Sequence, residues 1–500
     1  MVSVAPILDS RRSGILLPLF SIPGRYGIGE LGPAAMRWLD FMAECGQKIW
    51  QLLPINPTGF ANSPYQSPSI MGCDTLSIGI EGLLGDGLLE NGDIGKLPPN
   101  GSRIDYGSAT ELRMRLLRLA ATRFLESGAD GGFETFCAKE DYWLGAHGLF
   151  CALRERFGTE NWTLWPSGFR SVDGAKSILG EKAIAKKVST ECALQYFFHR
   201  QWEAVRRRAA SLSISIVGDM PIFASHGSVD VWANRDLFAL DETGNPTSVA
   251  GVPPDYFSAT GQRWGNPLYR WNKHLELGYG WWIKRMASAF EKFDAVRIDH
   301  FRAFADYWEI AAEEPTAVNG RWAAGPGKEF FRAAAKKLGP LPIIAEDLGI
   351  LSNKAIALRD ELDIPGLRIL LFALDDYRAS SPFLPENFPE NCVAYSGTHD
   401  NDTAKSALFD SGEDSSRRLA LLKKIMPPHY SKMHPIDGAI AWMADSKARW
   451  MILPMQDILH LGSEARTNRP STTVGNWSWR LGEKQLESVD RDFLRQIARR

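Results

Sequence analysis

The chain has 500 residues, 44% of them hydrophobic, and its 57 Lys+Arg nearly balance 59 Asp+Glu for a net charge of -2. That length can bury a large core, and the charge balance excludes electrostatic capture of nucleic acid or of an anionic membrane surface. Six scattered cysteines (45, 73, 137, 151, 192 and 392) show no CxxC spacing, so neither a disulfide framework nor zinc is expected. No basic stretch followed by a long apolar run opens the chain, and no apolar run nears the roughly 18–20 residues of a membrane span. A cytoplasmic location is the expectation. Aromatic residues reach 11%, and several Trp sit beside turn residues, as in QRWGN (Trp264) and GNWSW (Trp477). Ordinary core packing explains any single one, but rings at turns also offer faces on which sugar C–H bonds pack.

Eight short apolar runs stand out in chain order: 14–20, 48–55, 214–223, 293–301, 341–349, 366–374, 391–400 and 448–457. Each is strand-length and bounded by Gly, Pro or polar residues. Continuous apolar character marks parallel strands covered by helices. Helical patterns lie between several of them, at 34–46, 279–293 and 327–339. The alternation predicts an α/β protein, a (β/α)8 barrel of the TIM type in one domain spanning 1–500. A doubly wound open sheet is the second architecture that run counting allows. Two gaps are read as insertions: 56–210, largely helical in its 105–210 portion, and the loop-rich 224–278.

Barrel active sites lie at the C-terminal ends of the strands. Six of the eight runs place an acid there: Asp219, Asp299, Glu346 with Asp347, Asp375, Asp400 and Asp457. Such a cluster repels itself and suits a cation-like transition state. Asp347 and Asp457 read as caps of the helices that follow, and Asp219 equally as a turn former. Arg297 and Asp299 are two apart on a strand and share a face, so the guanidinium keeps Asp299 ionised, as a nucleophile must be. Glu346 follows Ile343, Ile344 and Ala345, and apolar surroundings raise a carboxyl pKa toward that of a general acid. Two carboxyls in opposed environments are the signature of glycoside chemistry, and adjacent strands about 4.8 Å apart can supply the roughly 5–5.5 Å separation of a retaining mechanism. Asp400, with His399 and His300, is one of several candidates for holding sugar hydroxyls. His and carboxylates also suit a metal, but the histidines lack i, i+4 helical spacing, and no metal or cofactor is expected.

The ordered motifs GDMPIF, VAGVPPDYFSATGQRWGNPLY (249–269), RIDHFR, AEDLG, YSGTHDN, QDILHLGSEARTNRP and GNWSWRL, with WQLLPINPTGF-ANSPYQS at 50–67, resemble the amylomaltases, or 4-α-glucanotransferases, of the α-amylase superfamily. The resemblance runs over roughly 14–481. It implies a barrel with insertions and no separate C-terminal β-sandwich. It implies Asp299 as nucleophile, Glu346 as acid/base and Asp400 as transition-state stabiliser. Arg297 and His399 would surround the donor sugar, with Asp219 in support. Residues 249–267 would form a loop over the site, with Tyr256, Phe257 and Trp264 as aromatic contacts. Ser63 and Tyr65 match donor-side positions, Asn468 a substrate-binding position, and Asp375, after Phe372, the acceptor side. Two stretches depart from the family pattern: His226-Gly227 stands where an acid and a small residue are commoner, and IMGCDTLSIGI (70–80) where an aromatic and Asn-Pro are. Both bear on chain-length preference.

The substrates so implied are α-1,4-glucans with glucose or a glucan as acceptor. Transfer and hydrolysis share one covalent intermediate and differ in what attacks it. A well-placed acceptor reaches an effective molarity of about 10⁵ M or more, and a lid excludes water. An α-amylase-type hydrolase would use the same acids, so site chemistry leaves it as the alternative. A non-catalytic glucan scaffold needs no acids. A nucleotide-sugar transferase would call for a P-loop, or GxGxxG directly after a strand run, and neither is found.

Overall fold

Each of the eight apolar runs overlaps a strand of one closed parallel barrel, the first strand beginning two residues ahead of its run. The computed structural model describes residues 6–255, 258–349, 351–375 and 377–500. The barrel strands are β1 (Arg12–Leu16), β2 (Ile49–Gln51), β3 (Ser215–Met220), β6 (Ala295–Ile298), β9 (Ile343–Ala345), β10 (Gly366–Ile369), β11 (Cys392–Tyr395) and β12 (Trp450–Pro454). Each pairs with its chain-order neighbour, and β1 pairs with both β2 and β12, which closes the ring and rules out the open sheet.

Alternation along the strands sorts the side chains into two cores. Val217, Ala295, Ile344, Val393 and Tyr395 pack in one cluster. Their neighbours Ile216, Val296, Ile298, Ile343, Ala345 and Ala394 belong to the other, which also holds the apolar faces of the covering helices. Successive strand residues point to opposite faces, so Asp219, Arg297, Asp299 and Glu346 extend the rows that begin at Val217, Ala295 and Ile344.

The expected helices form as Pro33–Glu44, Gly280–Lys292 and Gly327–Leu338. Pro33 at the first helical position starts one of them with φ already set, and Ala34, Ala35, Trp38, Leu39, Phe41 and Met42 turn one buried stripe to the barrel. The first insertion carries Tyr106–Glu126, Leu144–Phe157 and the 30-residue Lys182–Ser211, which runs directly into β3.

The second insertion differs from expectation. Residues 224–278 contain β4 (Ser248–Val252) and β5 (Gln262–Pro267), not only loops. They join β7 (Asp306–Ala311) and β8 (Gly320–Ala324), from the connection after β6, in a four-stranded antiparallel sheet of order β5-β4-β7-β8. Beyond β12 the described residues form short helices and loops with no further sheet. No described helix is long and apolar enough to cross a membrane.

Candidate active site

Strand register builds the rim. β3 and β6 align Asp219 with Arg297, and β6 and β9 align Ile298 with Ala345, so Asp299 and Glu346 leave neighbouring strands side by side. Arg297 Nη1 donates to both Asp219 oxygens at 2.8 Å, and its Nη2 lies 2.9 Å from Asp299 Oδ1. Burial works against the guanidinium's charge, but Asp219 and Asp299 hold it protonated well above its usual range. The Asp299 side chain keeps 29% exposure while Asp219 and Arg297 are buried, so one carboxylate anchors the arginine and the other is presented.

Glu346, part-buried like Asp299, has different neighbours. Burial pushes its carboxyl up to about 7, helped by Asp299 and resisted by Arg297 and two backbone N–H groups. Those donors are His300 N–H to Oε2 at 2.8 Å and Leu348 N–H to Oε1 at 2.9 Å. His300 can aim its N–H there because its backbone is left-handed, at φ 50. Burial lowers its ring to about 4, so the imidazole is neutral, edge-on to Trp264 with centroids 4.9 Å apart.

Tyr65 ties the two sides of the rim together. Its hydroxyl lies 2.6 Å from Asp219 Oδ2 and 3.0 Å from His399 Nε2. A hydroxyl has one proton and a carboxylate only accepts, so Tyr65 donates to Asp219 and His399 Nε2–H donates to Tyr65. The Tyr65 and His399 rings stack at 5.3 Å, and Trp477 packs against both. Asp400 accepts from Asn468 Nδ2 at 2.6 Å, and its carbonyl from Arg466 Nη2 at 2.7 Å. Its side chain is 44% exposed.

Part of this cluster lines a cavity of about 410 Å³; Asp219, Arg297 and Glu346 are not among its lining residues. Its wall includes Ser63, Tyr65, Trp264, Asp299, His300, His399, Asp400 and Asn468. Acids, aromatic faces and amide groups around one cleft suit a neutral polyhydroxyl ligand. A family model described as 4-alpha-glucanotransferase matches residues 17–485. The chain belongs to the 4-alpha-glucanotransferase family. It is 41% identical to the 4-alpha-glucanotransferase of Synechocystis sp. over 492 residues, covering 96% of this chain and 95% of the relative. The 4-alpha-glucanotransferase of Thermus thermophilus is 41% identical over 494 residues, with 98% of each covered. Among solved structures, the amylomaltase from Streptococcus agalactiae in complex with acarbose superposes with a TM-score of 0.91 at 34% identity, covering 97% of this chain and 98% of that one. The enzyme therefore acts on α-1,4-glucans by transglycosylation, and the hydrolase alternative is not favoured.

In this glucanotransferase several sequence expectations land elsewhere. Asp347 caps no following helix: it accepts from Leu367 N–H at 2.7 Å and pairs with Arg359 and Arg368, outside the barrel. Gly366 makes room for it, since a Cβ there would lie 2.2 Å from Asp347 Oδ2. Asp457 caps a different helix, accepting from Ala404 N–H at 2.7 Å and from Ser396 Oγ at 2.5 Å. Asp375 pairs with Arg418 at 2.7 Å and does not line the cavity. Tyr256 and Phe257 lie outside the described residues. Neither His226 nor Gly227 lines the cavity; His226 Nε2 lies 2.8 Å from the Gly244 carbonyl.

Sequence reasoning passed over other lining residues of the glucanotransferase: Phe60, Phe223, Gln262 and Asn266. All lie inside the quoted motifs, which were the signal available. Four non-glycine wall residues are left-handed: Ala61 (φ 54), His300 (φ 50), Ser471 (φ 63) and Trp477 (φ 57).

Proposed function

We propose that this enzyme transfers α-1,4-glucan segments by a retaining double displacement carried by Asp299, Glu346 and Asp400. Asp299 attacks the anomeric carbon while Glu346 gives its proton to the departing glycosidic oxygen, forming a β-glucosyl ester on Asp299. The 4-hydroxyl of an acceptor glucan, or of glucose, then attacks that ester. Glu346 takes the hydroxyl proton and the α-linkage is restored. Asp400 binds hydroxyls of the donor sugar and strengthens its hold as the ring gains positive charge. Arg297 aims Asp299, and Asp219 with Tyr65 keeps Arg297 and His399 in place. Ser63, Trp264, His300 and Asn468 contact the glucan from the wall. Tyr256, Phe257 and Asp375 are kept as glucan contacts on the family resemblance alone.

The observation that carries this reading is the contrast between two part-buried neighbours: Asp299 lies 2.9 Å from Arg297, while desolvation raises the Glu346 carboxyl to about 7. The barrel and its insertions act as one catalytic unit, with the β5-β4-β7-β8 sheet beside the site. Six free cysteines fit a reducing, cytoplasmic setting.

The test uses α-maltosyl fluoride, whose leaving group needs no acid. Glu346→Gln should accumulate a glycosyl ester that peptide mapping places on Asp299. An ester on another residue, or none, overturns the assignment. On maltotriose the unaltered enzyme should give glucose and a ladder of longer glucans, and Asp299→Asn should give neither.

A further inference from the structure

Two helices of the first insertion bring together three side chains of different chemistry, none of which lines the cavity. His147 and Cys151 are four residues apart on Leu144–Phe157 and share a face, and Glu191 faces them from Lys182–Ser211. One ligand atom from each (a ring nitrogen, Sγ and a carboxylate oxygen) lies within 4.8 Å of the other two. Cys151 Sγ is 3.8 Å from His147 Nε2. The other ring nitrogen, Nδ1, is buried without a partner, and a Cβ on Gly72 would lie 3.4 Å from it. Nε2, the ring nitrogen that faces Cys151, is the atom placed to bind.

The geometry points to a zinc-class metal site at His147, Cys151 and Glu191 that clasps these two helices. With Zn–S near 2.3 Å and Zn–N near 2.0–2.1 Å, a tetrahedral ion holds sulfur and nitrogen about 3.6 Å apart. The distance here needs an adjustment of only a few tenths of an ångström. A thiolate with one imidazole and one carboxylate selects zinc or cobalt over magnesium or calcium. Binding breaks the Cys151 S–H bond, forms the metal–sulfur bond and releases the proton to solvent, with no change of oxidation state. Cys151 and Glu191 line an open groove of about 810 Å³, which gives an ion its path and a water its place as fourth ligand. His-x₃-Cys on a helix is the spacing that a search for CxxC and paired histidines passes over.

A second cluster, His434, Asp437 and His460, also brings ligand atoms together. There the imidazoles stack face to face at 4.3 Å, and His460 Nε2 already sits 2.8 Å from Asp437 Oδ1. It offers no sulfur, and that separates the two sites by experiment.

Co²⁺ is added to the full-length, chelator-treated, reduced protein. One equivalent should bind and give a thiolate-to-cobalt charge-transfer band in the near ultraviolet. Cys151→Ser should abolish the band, and Glu191→Gln should weaken binding by more than ~10-fold. Both variants should keep glucan transfer at the unaltered rate, which shows that they fold, since neither residue lines the cavity. A band that survives in Cys151→Ser, binding without a charge-transfer band, or no binding overturns the proposal.

Discussion

Glu346 and Asp347 are consecutive residues at the end of one strand, yet they belong to different regions of the molecule. Glu346 points into the barrel mouth, where backbone N–H groups hold a carboxyl that burial has pushed up to about 7. Asp347 points outward, where Arg359, Arg368 and the Leu367 N–H compensate its charge. Asp299 and Asp457 repeat the contrast. One faces the cavity beside Arg297, and the other is buried against Ser396 and the start of a helix. An acid at a strand end is thus not chemical by position. The face it takes decides whether its charge is used up in holding the fold or left available at the cavity.

That contrast can be broken in graded ways. Asp299→Asn should lower kcat by at least ~10³-fold with unfolding midpoint and circular dichroism unchanged. A large loss of stability would move Asp299 to the structural region. Asp347→Ala should do the reverse: about 2 kcal/mol of stability lost in urea unfolding, because the Leu367 N–H and the part-buried Arg359 and Arg368 lose the buried carboxylate they share, with kcat of the folded fraction retained. Tyr65→Phe removes one hydroxyl that two charged or polar groups share. A drop of roughly 10–100-fold in kcat/KM with little change in stability is expected. The mildest probe is pH. Glu346 keeps its proton up to about 7, so kcat/KM should fall about tenfold per pH unit above that point. With α-maltosyl fluoride as donor the first step needs no proton, and this alkaline limb should vanish from the rate of ester formation.

The barrel was legible because its signal is local. Each strand is an apolar run, and each covering helix has its own stripe, as in Ala34–Met42. The four-stranded sheet was not legible as a whole: β4 with β5 and β7 with β8 are local pairings, but the one that joins them is distant, with Ser248 meeting Ala311 and Gly251 meeting Trp308. Nothing in 306–324 announces such partners, and β8 is mostly half-buried or exposed, so its apolar content is low. The site divides the same way. Alternation alone puts Asp219, Arg297, Asp299 and Glu346 on one face. It also turns Asp347 away from Glu346, a consequence of the same period that the capping expectation did not follow. Tyr65, Asn468 and Trp477 reach the cavity from segments whose folding no periodicity describes; motif likeness was the only trace of the first two, and Trp477 also stood out beside turn residues. Asp375, matched on the same likeness, pairs with Arg418 and is not among the cavity-lining residues.

The cavity wall carries four side chains on left-handed backbone, at Ala61, His300, Ser471 and Trp477. Glycine would sit at each with less strain, by about 1 kcal/mol or more per site. The mouth of this barrel is therefore a sprung frame, kept in shape by the rest of the molecule. An effort to make the enzyme more heat-resistant by relaxing those turns would slacken the frame that aims His300 at Glu346 and seats Trp477 on Tyr65. Reinforcing the outer helices instead would leave the tension, and the aim, intact.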